Sequence, residues 1–282
     1  MVNRLLNYSR FVKIEHTLFS LPLIFSGAVL AGGRLPPWPL WGLLLAAGAG
    51  ARIVAFALNR IIDRHIDQRN PRTANRELPQ RSMALFEAWS VCAVGGAVYL
   101  VSAWAIAPVC LYASPIPLIV FTVYPYLKRF TPLAHFGVGL ADALAPLGGW
   151  VAVTKSLHPF WPGFWLALFT FFWVTGFDVI YSTLDEAFDR QEGLHSMPTY
   201  LGKEGALRVS ALLHMAAFGG LVILYREYLR SPLAFVTLLT IGVLLVVEHE
   251  AAEDVELAFF KINAVLGFGV LGFVAAGFVG AL

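Results

Sequence analysis

Charged residues are scarce in this chain. Asp, Glu, Lys and Arg make up 13% of its 282 residues, against about 25% in an ordinary soluble domain. Hydrophobic residues make up 58%, which excludes an intrinsically disordered chain. A net charge of +2 excludes the broad basic field that gathers nucleic acid. There are two cysteines, Cys92 and Cys110. Both sit in apolar stretches without metal or redox spacing, so they read as small core residues and a disulfide scaffold is excluded.

What the chain has in abundance is long apolar runs. A membrane span takes about 20 mostly apolar residues. Nine runs qualify, at roughly 14–32, 39–60, 84–105, 108–127, 135–154, 160–183, 206–225, 232–249 and 260–281. The expected fold is all-α: a polytopic membrane protein of nine transmembrane helices, one domain over residues 1–282, with the lipid bilayer as its surroundings. Arg4, Arg10 and Lys13 precede the first run as they would in a signal peptide. No small-residue cleavage site follows, so the run is read as a retained helix. Lys and Arg set the orientation. With the N-terminus cytoplasmic, fifteen of the twenty basic residues fall on the cytoplasmic side. Arg34, Lys155, Arg226 and Arg230 fall outside, and Arg52 lies within a span. Nine spans then put the C-terminus on the external side.

Two aspartate ladders punctuate these runs. Asn59, Asp63 and Asp67 lie in NRIIDRHID. Tyr181, Asp185 and Asp189 lie in DVIYSTLDEAFD, with Asp178 one turn earlier. Steps of four keep side chains near one helix face. Corresponding positions differ by 122, and each ladder precedes a polar segment ending in Leu78-Pro79 or Met197-Pro198. The match hints at two halves, about 1–134 and 135–249, plus a ninth helix at 260–281, with both ladders facing one central cavity. Mg²⁺ uses one or two carboxylates, several waters and phosphate oxygens. Two ladders suit two such ions flanking a diphosphate, where charge builds on the leaving group. Asn59 adds a neutral oxygen ligand or a donor. The competing reading is a pair of solvated helix ends whose aspartates pair with neighbouring arginines.

Lys128 and Arg129 close the fourth span in YPYLKRF. Arg64 sits between the aspartates of the first ladder, and Arg72 and Arg76 follow in the loop. Such groups suit phosphate and equally serve positive-inside topology. Arg69, Arg81, Arg208 and the N-terminal charges are assigned to topology. Arg52 lies seven residues before Asn59, inside a span, where a charge marks function by default. It can pair with Asp63 or Asp67, bind an acceptor's carboxylate, or pair with Asp142, the second intramembrane charge. Tyr124, Tyr126 and Tyr181 can face a carbocation or sit at the membrane interface. His16 and His214 read as satisfied core or interface residues. Glu248, His249 and Glu250 read as a solvated helix end, and the Gly-rich C-terminal run as a packing face.

These motifs are similar to those of the UbiA superfamily of intramembrane prenyltransferases. NRIIDRHID resembles its first signature, N-x-x-x-D-x-x-x-D. DVIYSTLDEAFD resembles the second, D-x-x-Y-x-x-x-D-x-x-x-D, and YPYLKRFT resembles the basic segment between them. The resemblance covers nearly the whole chain. It implies a helical bundle around a cavity open sideways to lipid. It implies Mg²⁺ held by the catalytic set Asn59, Asp63, Asp67, Asp185 and Asp189, with Asp178 assisting. Arg64, Lys128 and Arg129 would hold the diphosphate, and Arg52 would meet the acceptor's carboxylate. The phrase EGLHSMP departs from the V-K-S form of the 4-hydroxybenzoate branch, with His195 in place of a lysine. It looks more like a sister branch that uses a dihydroxynaphthoate acceptor.

The expected function is transfer of a polyprenyl group from polyprenyl diphosphate to a 4-hydroxybenzoate-type aromatic acid. That reaction serves ubiquinone biosynthesis in a bacterial inner membrane. The loops 68–82 and 190–204 are candidate lids. The same chemistry on dihydroxynaphthoate, for menaquinone, is the alternative. A CDP-alcohol phosphotransferase is disfavoured because its D-G-x-x-A-R signature is absent. An ion-coupled transporter, with Arg52 and Asp142 as coupling pair, is the rival of another class. No obligate protein partner is implied.

Overall fold

The computed structural model describes residues 2–13, 17–254 and 261–279; His16 lies outside them. Every regular element among the described residues is helical. In order they are α1 (Val2–Phe11), α2 (Thr17–Gly32), α3 (Trp38–Arg69), α4 (Leu85–Ile106), α5 (Pro108–Ala113) and α6 (Pro115–Leu127). Then come α7 (Ala134–Thr154), α8 (Trp161–Ser182), a 3₁₀ turn (Thr183–Asp185), α9 (Glu186–Glu192), α10 (Met197–Tyr228), α11 (Pro232–Glu250) and α12 (Asn263–Ala276). Proline within the first two positions opens α3, α5, α6, α8, α10 and α11. There its missing N–H removes no helical bond and its fixed φ already suits the helix.

Seven helices are long and apolar enough to cross a membrane: α3, α4, α5 with α6, α7, α8 through α9, α10 and α11. The first and ninth expected spans run partly through residues outside the described set. Their described parts form α2, of 16 residues, and α12, of 14. The boundaries differ from expectation in two useful places. The first ladder stands on the spanning helix itself, because α3 continues to Arg69. The second half of the expected lid 190–204 is the start of α10, broken only at Gly202, where φ is 69° and ψ is 169°.

The bundle pairs α3 with α4, α2 with α7, α7 with α8, and α8 with α10. The α2–α7 contact is backbone on backbone. A Cβ on Gly27 would lie 1.9 Å from the Pro146 carbonyl oxygen, and one on Gly149 would lie 1.9 Å from that of Ile24. Small residues permit this approach, and in lipid the gain comes from fit rather than release of water. Around α8, Leu166, Phe169 and Trp173 are wholly buried against Leu221 and Leu224 of α10 and Leu266 and Phe273 of α12. A second cluster of Phe11, Val54, Leu58, Ile61 and Met83 ties α1 and the loop 70–84 to α3. The ion pair Arg60–Glu77, at 2.9 Å, anchors the same loop.

One surface assignment is corrected. Glu248, expected at a solvated helix end, is 0% exposed. Its Oε1 accepts from Asn263 Nδ2 at 3.0 Å, and Asn263 Oδ1 accepts from Trp173 Nε1 at 2.9 Å. α12 packs on α11 and covers it, a tertiary contact that no reading of single spans supplies. His214 is buried, as expected of a core residue, but it is not the satisfied one expected, since neither ring nitrogen has a hydrogen-bond partner among the described residues.

Candidate active site

The carboxylates of the first ladder are among the most buried charges in the chain: Asp63 is 2% exposed and Asp67 5%. Buried carboxylates need partners, and each has a cation from another segment. Lys128, just past α6, places Nζ 2.6 Å from Asp63 Oδ2, and Arg129 Nη2 lies 3.1 Å from Asp63 Oδ1. Arg129 also donates to the Ile62 carbonyl at 3.1 Å. Arg76, in the loop after α3, donates through Nη1 to both oxygens of Asp67 at 2.8 Å. Asn59 Nδ2 stands 3.5 Å from Asp63 Oδ2, one turn away on α3.

The second ladder is built differently from expectation. Tyr181 belongs to α8, Asp185 closes the 3₁₀ turn and Asp189 lies on α9. Ser182 and Thr183 turn their hydroxyls back onto the carbonyls of Val179 and Ile180, at 2.7 and 2.8 Å. Such back-bonding competes with the helical ladder and bends it. Asp185 accepts from Asn70 Nδ2 at 2.8 Å, from Arg72 Nε at 2.9 Å, and from Arg72 Nη2. Arg72 Nη1 also donates to the Tyr181 hydroxyl at 2.6 Å. Burial disfavours the charge on Arg72, but the bonds to Asp185 and Tyr181 outweigh it and raise its pKa above the ordinary arginine value. Arg72 is therefore a fixed cation.

Ladder residues Asn59, Asp63, Asp67, Asp178, Tyr181, Asp185 and Asp189 all line a cavity of about 540 Å³, together with Arg52, Tyr124 and Lys128. Arg129 joins the cluster through its bond to Asp63. Arg64 does not: it is absent from the lining and donates to the Ile61 carbonyl at 2.9 Å. Arg52 and Asp142 meet at 3.2 Å, which is one of the pairings open for Arg52. Beyond them the lining turns apolar along Leu44, Gly48, Leu144, Gly148 and Ala152.

Two site residues had no part in the sequence reading, Asn70 and His135, whereas Arg72 and Arg76, read there as suited to phosphate, do join the site. Arg72 and Arg76 carried a signal, being four apart in the loop that follows the ladder. His135 opens α7 and sets Nδ1 2.7 Å from Asp178 Oδ2. The two loops are also tied together, by Arg69–Glu192 at 2.7 Å.

The donor set suits a hard cation: carboxylates and one amide, all oxygen. Among the described residues no three His, Cys, Asp or Glu side chains converge as a ready-made metal cage. The oxygen donors of the ladders fit Mg²⁺, which takes one or two carboxylates per ion and completes its shell from water and substrate phosphate. The arginines and Lys128 interleaved with the aspartates are suited to the same phosphate.

The model of the UbiA prenyltransferase family matches residues 20–265. The chain belongs to this family. With seven apolar helices of spanning length, it is an integral membrane protein of UbiA fold. Its relatives include the 4-hydroxybenzoate solanesyltransferase of Synechocystis sp., 31% identical over 66% of this chain and 63% of that protein. The protoheme IX farnesyltransferase of Shewanella denitrificans is 35% identical over 54% of this chain and 52% of that protein. The chain thus spans less than two thirds of the length of either curated relative. Among solved structures, the apo UbiA homolog of Aeropyrum pernix K1 superposes with a TM-score of 0.83. It is 34% identical, covering 94% of this chain and 98% of that one. The UbiA homolog of Archaeoglobus fulgidus bound to GPP and Mg²⁺ shares the fold, with a TM-score of 0.71. Its identity is 20%, covering 97% of this chain and 98% of that one.

Proposed function

We propose that this UbiA-family chain transfers a polyprenyl group from polyprenyl diphosphate to a ring carbon of an aromatic acid, in a Mg²⁺-dependent reaction of quinone biosynthesis. The observation that carries the proposal is the set of paired carboxylates and cations lining one cavity, with apolar lining continuing from it. A diphosphate joined to a greasy chain has that same division of character.

Asn59, Asp63, Asp67, Asp185 and Asp189, with Asp178 beside them, would hold the Mg²⁺. When bound, the metal supplies positive charge to the diphosphate oxygens as they leave. Lys128 and Arg129 already neutralise Asp63, Arg76 neutralises Asp67 and Arg72 neutralises Asp185, and all four would share their charge with the incoming diphosphate. The allylic C–O bond breaks and pyrophosphate leaves with the electron pair. The remaining allylic cation is shielded from water by apolar walls and by the faces of Tyr124 and Tyr181. A ring carbon activated by its phenol donates an electron pair to form the C–C bond, and loss of the ring proton restores aromaticity.

Arg52, facing the cavity from α3, supports an acceptor that carries a carboxylate, of the 4-hydroxybenzoate type. A dihydroxynaphthoate acceptor shares that carboxylate, and the sequence EGLHSMP favours it as the second reading. The relation to the Shewanella protoheme farnesyltransferase makes haem a third acceptor to include. The excess of Lys and Arg on the ladder side supports a cytoplasmic site with the N-terminus on the same side of a bacterial inner membrane. The deciding experiment gives purified protein Mg²⁺, radiolabelled prenyl diphosphate and a panel of aromatic acids. Pyrophosphate release with a product of summed mass is expected. Substrate movement without pyrophosphate would instead identify a transporter.

A further inference from the structure

Arg52 and Asp142 face each other at 3.2 Å between α3 and α7, each with 16% of its side chain exposed. Both line the cavity. Arg52 stands seven residues, or about 10 Å along the helix, from Asn59, and Asp142 stands seven from His135. The pair is thus two turns deeper than the acidic and basic cluster. Charges on helices of spanning length are expensive to bury, and an ion pair offsets this only partly. A prenyl chain is apolar and gives the pair nothing in return. The diphosphate has its own cations at the ladders. Of the two substrates, that leaves the polar end of the acceptor.

We infer that Asp142 is the internal counter-ion of the acceptor site: its carboxylate occupies Arg52 until the acceptor's carboxylate displaces it. The inference rests on the proposed aromatic-acid acceptor and names the residue that sets its selectivity. The logic is an exchange of like for like. While Asp142 neutralises the guanidinium, this stretch of the wall carries no net charge and the apolar chain can pass. Stray diphosphate is also denied a second cationic foothold. An acceptor carboxylate restores the pairing that it breaks, whereas an ester or amide of the same ring cannot. Asp142 touches Arg52 rather than the reacting carbons, so it acts as a positioning residue.

The test titrates the full chain in detergent with 4-hydroxybenzoate and its methyl ester by calorimetry. Asp142→Asn removes the competitor at constant size. The acid is expected to bind at least about tenfold tighter, equivalent to ~1.4 kcal/mol, with the ester unchanged. In turnover, KM for the acid falls while KM for the prenyl diphosphate stays. Arg52→Gln is expected to abolish the preference for acid over ester. Asp142→Ser carries the same expectation if the Asn variant does not fold. Acid affinity that is unchanged or weaker in the Asp142 variants overturns the inference, as does wild-type protein that binds acid and ester alike. Wild-type protein that prefers the acid but releases no pyrophosphate leaves the inference standing and removes the transferase function instead.

Discussion

Arg72 and Asp185 meet across 113 residues of chain, with Nε 2.9 Å from Oδ1 and Nη2 bonded to Oδ2. This two-point fork joins the loop after the first ladder to the turn that carries the second. It also holds a cation against the carboxylate of Asp185 and the hydroxyl of Tyr181. Arg72→Gln is expected to raise KM for the prenyl diphosphate at least about tenfold, since one charge-assisted hydrogen bond is worth ~1.5–3 kcal/mol. Arg72→Lys should recover only part of the loss, because an ammonium lacks the planar fork. Steady-state kinetics on the three proteins checks this; a lysine variant equal to wild type would mean that charge alone suffices.

Asp63 concentrates the site's electrostatics, since it accepts from Lys128 and Arg129 and sits beside Asn59. Asp63→Asn keeps the shape and removes the charge. Loss of kcat by at least about 100-fold is expected, the scale of removing one preorganised electrostatic contact. Chelation of divalent metal should abolish turnover in wild type, and added Mg²⁺ should restore it. Thermal unfolding of the variant supplies the control for folding. An Asp63→Asn enzyme with wild-type rate and wild-type Mg²⁺ dependence would exclude this residue from the metal site.

Much of this architecture is legible in sequence for a simple reason. Lipid demands long apolar runs, and α3, α4, α7 and α8 follow the expected limits closely except where polar residues extend them. The ladders were visible because steps of four survive on a helix. What escaped depends on tertiary contact. The partner of Arg72 is 113 residues away, and Glu248 is covered by a helix from later in the chain. Arg64 shows a different lesson. It follows Asp63 directly, and successive helical residues are turned by about 100°, which takes Arg64 off the face that lines the cavity. The bend at 183–185 was hidden too, because the ladder spacing holds while the hydroxyls of Ser182 and Thr183 divert the backbone.

His135 couples the second ladder to the start of α10. The Met197 N–H donates to Nε2 at 3.3 Å, so that nitrogen carries no proton and Nδ1–H donates to Asp178 at 2.7 Å. His135→Ala should free the Met197 amide. Its hydrogen exchange is expected to quicken about fivefold, the equivalent of one ordinary hydrogen bond of ~1 kcal/mol. Turnover should fall by a similar factor as Asp178 loses its donor. Unchanged exchange at Met197 would show that α10 is held by other contacts.

Neighbouring glycines on α7 should respond in opposite ways. A Cβ at Gly149 would lie 1.9 Å from the Ile24 carbonyl oxygen, inside the α2–α7 contact. Gly149→Ala must therefore push two backbones apart, and overpacking of this kind costs ~1–3 kcal/mol. A Cβ at Gly148 meets nothing within 4 Å, and the residue lines the apolar arm of the cavity. Gly148→Phe should leave the fold intact and fill the arm instead. Gly149→Ala is then expected to lower thermal stability without changing which donors are used. Gly148→Phe is expected to keep stability and shift preference from long to short prenyl diphosphates. Competition between two donor lengths, read by product mass, separates the effects. A Gly148→Phe enzyme that still favours the longer donor would show that the prenyl chain leaves the site by another route, sideways toward lipid.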